Sequence, residues 1–171
     1  MVRALCLSVA LTLLCGCLPY SSRGNARHAE VSQPAEHQIR QSLSRLYRSF
    51  SYAPGHEPDW SLMRSCFVSD AQVVLEPNQG RAPRAMPLSQ MIAQWQASLR
   101  EKPSNNLGYV ETISSIRLQY VGAYVDADVV FYGKAPNDPR ARKPGLDRLR
   151  FSNANGAWQV ESLEVQYESK L

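Results

Sequence analysis

The chain is poor in the residues that build most metal and nucleophilic centres. It has three histidines and four cysteines in 171 residues. In the part predicted to fold, the only histidines are His37, on a predicted helix, and His56, in a loop beside a Pro-Gly pair. No Cys, His and Asp cluster has metal-ligand spacing, and no Gly-rich turn links a strand to a helix as in nucleotide-binding proteins. The sequence therefore predicts a site without a cofactor.

A strong charge bias is also lacking. The chain carries 19 basic and 15 acidic residues, a net charge of +4 at pH 7. Binding to nucleic acid needs Lys and Arg clustered on one face, and so small an excess does not indicate it. We expect no nucleic-acid partner.

The N-terminal apolar run, residues 4–14, is too short to cross a membrane, since a spanning helix needs about 20 residues. With Arg3 before it, the run is typical of a secretory signal peptide. It ends in Leu14-Cys15-Gly16-Cys17, which resembles the bacterial lipoprotein cleavage box. An ordinary secreted protein with a chance cysteine is the alternative.

The lipoprotein resemblance implies that residues 1–16 are removed and that both the thiol and the new amine of Cys17 are acylated. The acyl chains would hold the protein on the membrane, because several chains far exceed the marginal binding of one. Leu18 stands where an inner-membrane retention signal would usually be Asp. We therefore expect the periplasmic face of the outer membrane.

Residues 17–35 comprise Cys17 and a polar stretch without apolar periodicity, which predicts a flexible tether. Residues 36–171 have the length of one domain. Its single cysteine, Cys66, stands among Met63, Phe67 and Val68, which favours a buried, inert thiol.

Within this domain, helical periodicity gives way to strand alternation. A first helix ends before Pro54, a short second helix has Asp59 as its cap, and a third begins near Pro87. The predicted strands cover residues 71–76, 109–120, 123–132, 146–151 and 158–167, with a loop at 77–83 and a hairpin turn at Asn155-Gly156. This order predicts an α+β domain with the helices on one face of an antiparallel sheet.

The same order resembles the nuclear transport factor 2-like fold, a group that includes SnoaL-like polyketide cyclases and ketosteroid isomerase. The resemblance covers about residues 36–169. Three local matches carry it: Phe67-x-x-Asp70-Ala71, Gly122-Ala123-x-Val125, and Gly156-x-Trp158 followed by Val160 and Ser162. It implies a cone-shaped, cystatin-like curved antiparallel sheet against three N-terminal helices, an apolar pocket on its concave face, and a homodimer through the exposed sheet face.

Proton transfer in such a pocket needs a carboxylate in apolar surroundings, because burial raises its pKa. Glu111 and Asp147 are the candidates. Glu111 reaches the pocket only if a bulge shifts the register of its strand, because its nominal face is otherwise polar. Asp147 alternates with Leu149 and Phe151, which places it on the apolar side; pairing with Arg148 or Arg150 is the alternative.

Tyr109, Tyr132 and Gln166 are further pocket candidates, the tyrosines as donors to a developing oxyanion. On the last strand the apolar phase changes between Val160 and Leu163, which predicts a bulge near Ser162.

These observations favour a non-catalytic envelope lipoprotein that binds a small apolar ligand or an envelope protein partner. The alternative is a cofactor-independent isomerase, dehydratase or cyclase with Glu111 or Asp147 as the general base.

Overall fold

The computed structural model describes residues 33–76, 82–101, 106–136, 143–154 and 156–167. The predicted signal peptide, Cys17, residues 77–81 of the predicted loop and Asn155 lie outside the described residues. The elements in chain order are α1 (Gln33–Phe50), α2 (Trp60–Ser65), β1 (Phe67–Glu76), β2 (Arg84–Pro87), α3 (Leu88–Glu101), β3 (Val110–Val121), β4 (Tyr124–Lys134), β5 (Lys143–Ala154) and β6 (Ala157–Tyr167).

The helices follow the apolar periodicity of the sequence. The apolar residues that recur at helical spacing in the first helix form the buried face of α1: Ile39, Leu43, Leu46, Tyr47 and Phe50. α1 begins at Gln33, so the last residues of the predicted tether are helical, and Ala35 among them is buried. Asp59 caps α2 as predicted, because its Oδ1 accepts a hydrogen bond from the Leu62 N–H at 2.9 Å.

The strands form one six-stranded sheet in the order β2-β1-β6-β5-β4-β3. The α+β class is confirmed. One pair departs from the predicted antiparallel arrangement, since β1 and β6 run parallel. β2 was not predicted at all; it extends the edge of the sheet by pairing antiparallel with the second half of β1.

Two bulges decide which side chains face the helices. In β3 the register shifts between Ile113 and Ser115, so Glu111 and Ile113 share the inner face with Ile116 and Leu118. In β6 the register shifts at Glu161, between residues 160 and 162. The predicted bulge near Ser162 is therefore confirmed, and the bulge that Glu111 needed is present in β3.

The core lies between the inner sheet face and the helices. Its central row comes from β4, where Val125, Ala127, Val129 and Phe131 are all at most 1% exposed. Cys66 is buried in the same core with a free thiol, and burial raises the pKa of that thiol. Among the described residues, no helix is both long and apolar enough to span a membrane.

Candidate functional site

A cavity of about 610 Å³ opens between α3 and the inner sheet face. Its volume is in the range of small-molecule sites. The lining residues come from the end of α1, from α3, β1, β3, β5 and β6, and from an isolated bridge between Tyr52 and Tyr109: Phe50, Tyr52, Leu75, Met91, Gln94, Trp95, Ser98, Tyr109, Glu111, Asp147, Leu163 and Val165. The wall is mainly apolar and aromatic, and it contains two carboxyl groups.

Asp147 sits in the middle of β5 and is only 2% exposed. Its Oδ2 accepts a hydrogen bond of 2.5 Å from the hydroxyl of Tyr47 on α1. The flanking arginines do not pair with it, because strand alternation turns them to the outer face, where Arg148 binds Glu164 and Arg150 binds Asp126. The alternative of an Asp147–arginine pair is therefore wrong.

Tyr47 is fixed by neighbouring rings. Its ring meets Phe131 edge-on at 5.9 Å between centroids and Phe50 at 6.1 Å. Burial, followed by the Asp147 carboxylate, raises the pKa of the Tyr47 hydroxyl above its ordinary value. The hydroxyl is thus a permanent donor that holds one oxygen of Asp147.

Glu111 has an analogous donor in the residue that directly precedes its strand. The Tyr109 hydroxyl donates to Glu111 Oε1 at 2.8 Å, and the Glu111 backbone N–H donates to Ser51 Oγ at 3.1 Å. Tyr109 is positioned by two backbone hydrogen bonds with Tyr52, of 2.7 and 2.9 Å. Gly133, directly opposite Glu111, leaves room for the Tyr109 ring, since a Cβ there would lie 2.1 Å from the Tyr109 hydroxyl oxygen.

Both carboxyl groups hold their protons to unusually high pH. Burial, followed by the nearby Asp147 carboxylate, raises the pKa of Glu111 to about 8, against the opposing effect of the Tyr109 hydrogen bond. Burial likewise raises the pKa of Asp147 to about 7, and the Tyr47 hydrogen bond opposes it. The mutual repulsion means that the two groups titrate as a coupled pair near neutral pH.

The second oxygen of each carboxyl group has no hydrogen-bond partner among the described residues. These atoms, Glu111 Oε2 and Asp147 Oδ1, are buried. A buried polar atom without a partner costs free energy and calls for an explanation, such as a bound ligand or water. The site therefore has unused hydrogen-bonding capacity in both carboxyl groups.

Trp95 of α3 organises the aromatic wall. Its ring lies 6.3 Å from Phe50, 6.2 Å from Tyr52 and 5.4 Å from Trp60, measured between centroids. These contacts join α3 to the C-terminal end of α1 and to α2. Phe50, Tyr52 and Trp95 thus form a contiguous aromatic part of the cavity wall.

Two predicted pocket residues lie elsewhere. Tyr132 is 37% exposed on the outer sheet face, because it shares the strand phase of Asp126 and Asp128. Gln166 also lies outside the cavity lining and donates to Glu164 Oε1 at 2.8 Å, since the bulge in β6 turns Leu163 and Val165 inward instead. Tyr109, Glu111 and Asp147 line the cavity, whereas Cys17 is outside the described residues.

The sequence analysis does not identify Tyr47 and Trp95 as site residues, because each recurs with the apolar residues of its own helix. A signal existed for Tyr47, because a tyrosine on a buried helix face needs a partner for its hydroxyl. Trp95 gave no comparable signal, since its contribution depends on how α3 packs against α1 and α2.

No family model and no curated protein matches this chain. Several solved structures match it. A protein of unknown function with a cystatin-like fold from Nostoc punctiforme has a TM-score of 0.63 at 12% identity, over 84% of this chain and 98% of its own. A nuclear transport factor 2-like protein of unknown function from Pseudomonas putida has a TM-score of 0.64 at 14% identity, over 83% and 92%.

A third match is described as the β subunit of an aromatic-ring-hydroxylating dioxygenase from Novosphingobium aromaticivorans. It has a TM-score of 0.59 at 18% identity, over 83% of this chain and 94% of its own. Identities this low establish the fold alone. The domain has the nuclear transport factor 2-like, or cystatin-like, fold, as the resemblance implied, and function must be argued from the site.

Proposed function

We propose that this protein binds a small, largely apolar molecule in the cavity between α3 and the sheet. The observation that carries the proposal is the pair of buried carboxyl groups, each with one oxygen held by a tyrosine and the other without a partner among the described residues. The aromatic wall would bury the body of the ligand, and the carboxyl groups would bind its polar group.

Native mass spectrometry of the full chain, purified with detergent from the cells that produce it, tests this proposal. We expect a co-purifying small molecule that is lost in Ser98→Trp, because Ser98 is an exposed residue of α3 that lines the cavity and an indole there would occupy it. Ala97→Trp is the matched control, since Ala97 is the exposed neighbour outside the lining. The same bound mass in both variants would contradict the proposal. The spectrum also counts chains, which tests the expected homodimer.

A second candidate function is cofactor-independent proton transfer, as in an isomerase, dehydratase or cyclase. The observation that favours it is that both carboxyl groups titrate near neutral pH, so one can accept a proton while the other donates one. In deuterated water, the released ligand would then carry deuterium at a carbon position. Binding without such exchange would leave the protein as a binding module only.

We further propose that the domain is attached to the membrane through acyl chains on Cys17. The support is the lipoprotein-like box, Leu14-Cys15-Gly16-Cys17, after a short apolar run. The expected mature chain begins at Cys17 and carries acyl groups on both its thiol and its amine. The outer membrane is the expected location, because Leu18 stands where an inner-membrane retention signal would usually be Asp.

Cys17→Ser should move the protein out of the membrane fraction, because serine has no thiol to acylate. We expect essentially complete loss of membrane-bound protein after fractionation and immunoblotting. Cys15→Ser is the control and should leave the protein attached, since that residue is removed with the signal peptide. Membrane-bound Cys17→Ser protein without acyl groups would disprove the anchor.

A further inference from the structure

The ionisable side chains of the described cavity lining are acidic or phenolic, and none is basic. The described residues that line the cavity include two carboxyl groups and four aromatic side chains, and none of these lining residues is Lys, Arg or His. We propose that the ligand carries a basic amine, which enters as the ammonium ion and is held by the carboxylates of Glu111 and Asp147. This inference rests on the proposed function, because it names the chemical class of the ligand for the same cavity.

The charge balance of the site favours a cation. Among the described residues, no basic side chain contributes to the pKa shift of either Glu111 or Asp147. An anionic ligand would be repelled by the ionised pair and would find no positive partner among the described lining residues. A cation would supply the counter-charge that the buried pair lacks.

The hydrogen-bonding pattern favours a donor. Tyr47 and Tyr109 already donate to one oxygen of each carboxyl group. The remaining oxygens, Asp147 Oδ1 and Glu111 Oε2, need further donors when the groups are ionised. An ammonium group has three N–H donors and no acceptor, so it suits a site of two carboxylates.

The aromatic wall is compatible with the same ligand. Phe50, Tyr52, Trp95 and Tyr109 line the cavity. Aromatic rings attract cations through their quadrupoles, and they also bury an apolar body. A ligand with an aryl or alkyl body and an amine at one end would therefore use both parts of the lining.

Proton linkage predicts whether the affinity for the ligand increases or decreases with pH. The titratable side chains that influence the carboxyl pair are Tyr47 from α1 and Tyr109, which directly precedes β3, and both donate hydrogen bonds to the pair. The elements α3, β1 and β6 contribute no ionisable group to the lining. Binding of an ammonium ion favours the ionised carboxylates and releases protons. Its affinity should increase with pH. A neutral ligand that accepts a hydrogen bond from a protonated carboxyl group would show the opposite trend.

Three probes with one skeleton test the inference: phenylbutylamine, phenylbutanol and phenylbutyrate. Isothermal titration uses the full chain in lipid nanodiscs, with empty nanodiscs subtracted, at about pH 6 and about pH 8.5, where the amine stays charged. We expect the amine to bind at least about tenfold more tightly than the alcohol at the higher pH, and its own affinity to increase about tenfold from the lower pH to the higher. Buffers with different ionisation enthalpies should reveal proton release.

Glu111→Gln and Asp147→Asn should each weaken amine binding about tenfold while leaving alcohol binding within about threefold. Glu164→Gln and Asp126→Asn are matched controls, because these residues are ion-paired on the outer sheet face, and they should leave both affinities unchanged. If the alcohol binds as tightly as the amine or more tightly, the inference of an amine ligand is wrong, whereas the proposed function still holds. Binding of none of the three probes overturns both. Equal amine affinity in all variants also overturns the inference.

Discussion

The protein is expected to lose stability as pH increases from about 5 to about 8.5, and the double variant Glu111→Gln/Asp147→Asn to lose much less. In the folded protein the pKa of Asp147 is raised from 3.8 to about 7, and that of Glu111 from 4.5 to about 8. At pH values between the unfolded-state and folded-state pKa of each group, the folded protein holds a proton that the unfolded chain has already released. Stability from the neutral, buried carboxyl groups is therefore complete below about pH 4 and is lost as pH increases through the folded-state pKa values.

The expected size follows from the same shifts. One pKa unit corresponds to about 1.4 kcal/mol, so each group contributes at most about 5 kcal/mol to the change in the free energy of unfolding. The two contributions do not simply add, because the groups repel each other when both are ionised. A stability difference of several kcal/mol between variant and wild type is therefore expected at about pH 8.5, and it should become small only as pH falls to about 4.

Urea unfolding followed by tryptophan fluorescence provides the measurement, since Trp95 and Trp158 report on the cavity wall and the core. The double variant Asp126→Asn/Glu164→Gln is the control. It removes the same number of carboxylates from the exposed outer face, where ion pairs contribute little. Equal slopes of stability against pH in wild type and in Glu111→Gln/Asp147→Asn would show that the pair is ionised in the folded protein.

Local patterns in the sequence were enough to predict the helices and the inner face of most strands. Asp147 is an example, because its alternation with Leu149 and Phe151 correctly places it on the apolar side. Tyr132 could also have been assigned correctly. It falls on the same phase as Asp126 and Asp128, which the alternation of that strand already puts on the polar side.

Other features depend on contacts between distant segments, and local patterns cannot reveal them. The face occupied by Glu111 follows from the bulge after Ile113, which is defined only by pairing with β4. The parallel β1–β6 pair joins strands at opposite ends of the domain, and β2 exists only as a partner of β1. The bulge in β6 was detectable because apolar residues on both sides change phase, but the polar flanks of β3 conceal the equivalent change.

In the core next to Tyr47, one aromatic side chain packs over a glycine. Phe131 is fully buried, and Gly145 lies directly opposite it on β5. A Cβ at Gly145 would lie 2.4 Å from Phe131 Cζ. Phe131 also touches the ring of Tyr47, which holds Asp147, so this packing connects the core to the site.

Phe131→Ala is expected to lower the free energy of unfolding by about 3–5 kcal/mol, because it leaves a cavity in the centre of the sheet. Gly145→Ala should cost about 1–3 kcal/mol through overpacking against the same ring. In the double variant the added methyl group occupies space that the ring has left. The combined loss should therefore be smaller than the sum of the single losses by at least about 1 kcal/mol.

The double-mutant cycle is measured by urea unfolding at a single pH, and Phe151 provides its control. Phe151 is equally buried but lies opposite Val125, at the other end of β5, so Phe151→Ala and Gly145→Ala should be additive within about 0.5 kcal/mol. Additivity for Phe131 and Gly145 as well would mean that the ring does not pack on the glycine. In that case Tyr47 and Asp147 would lack the support that this contact gives them.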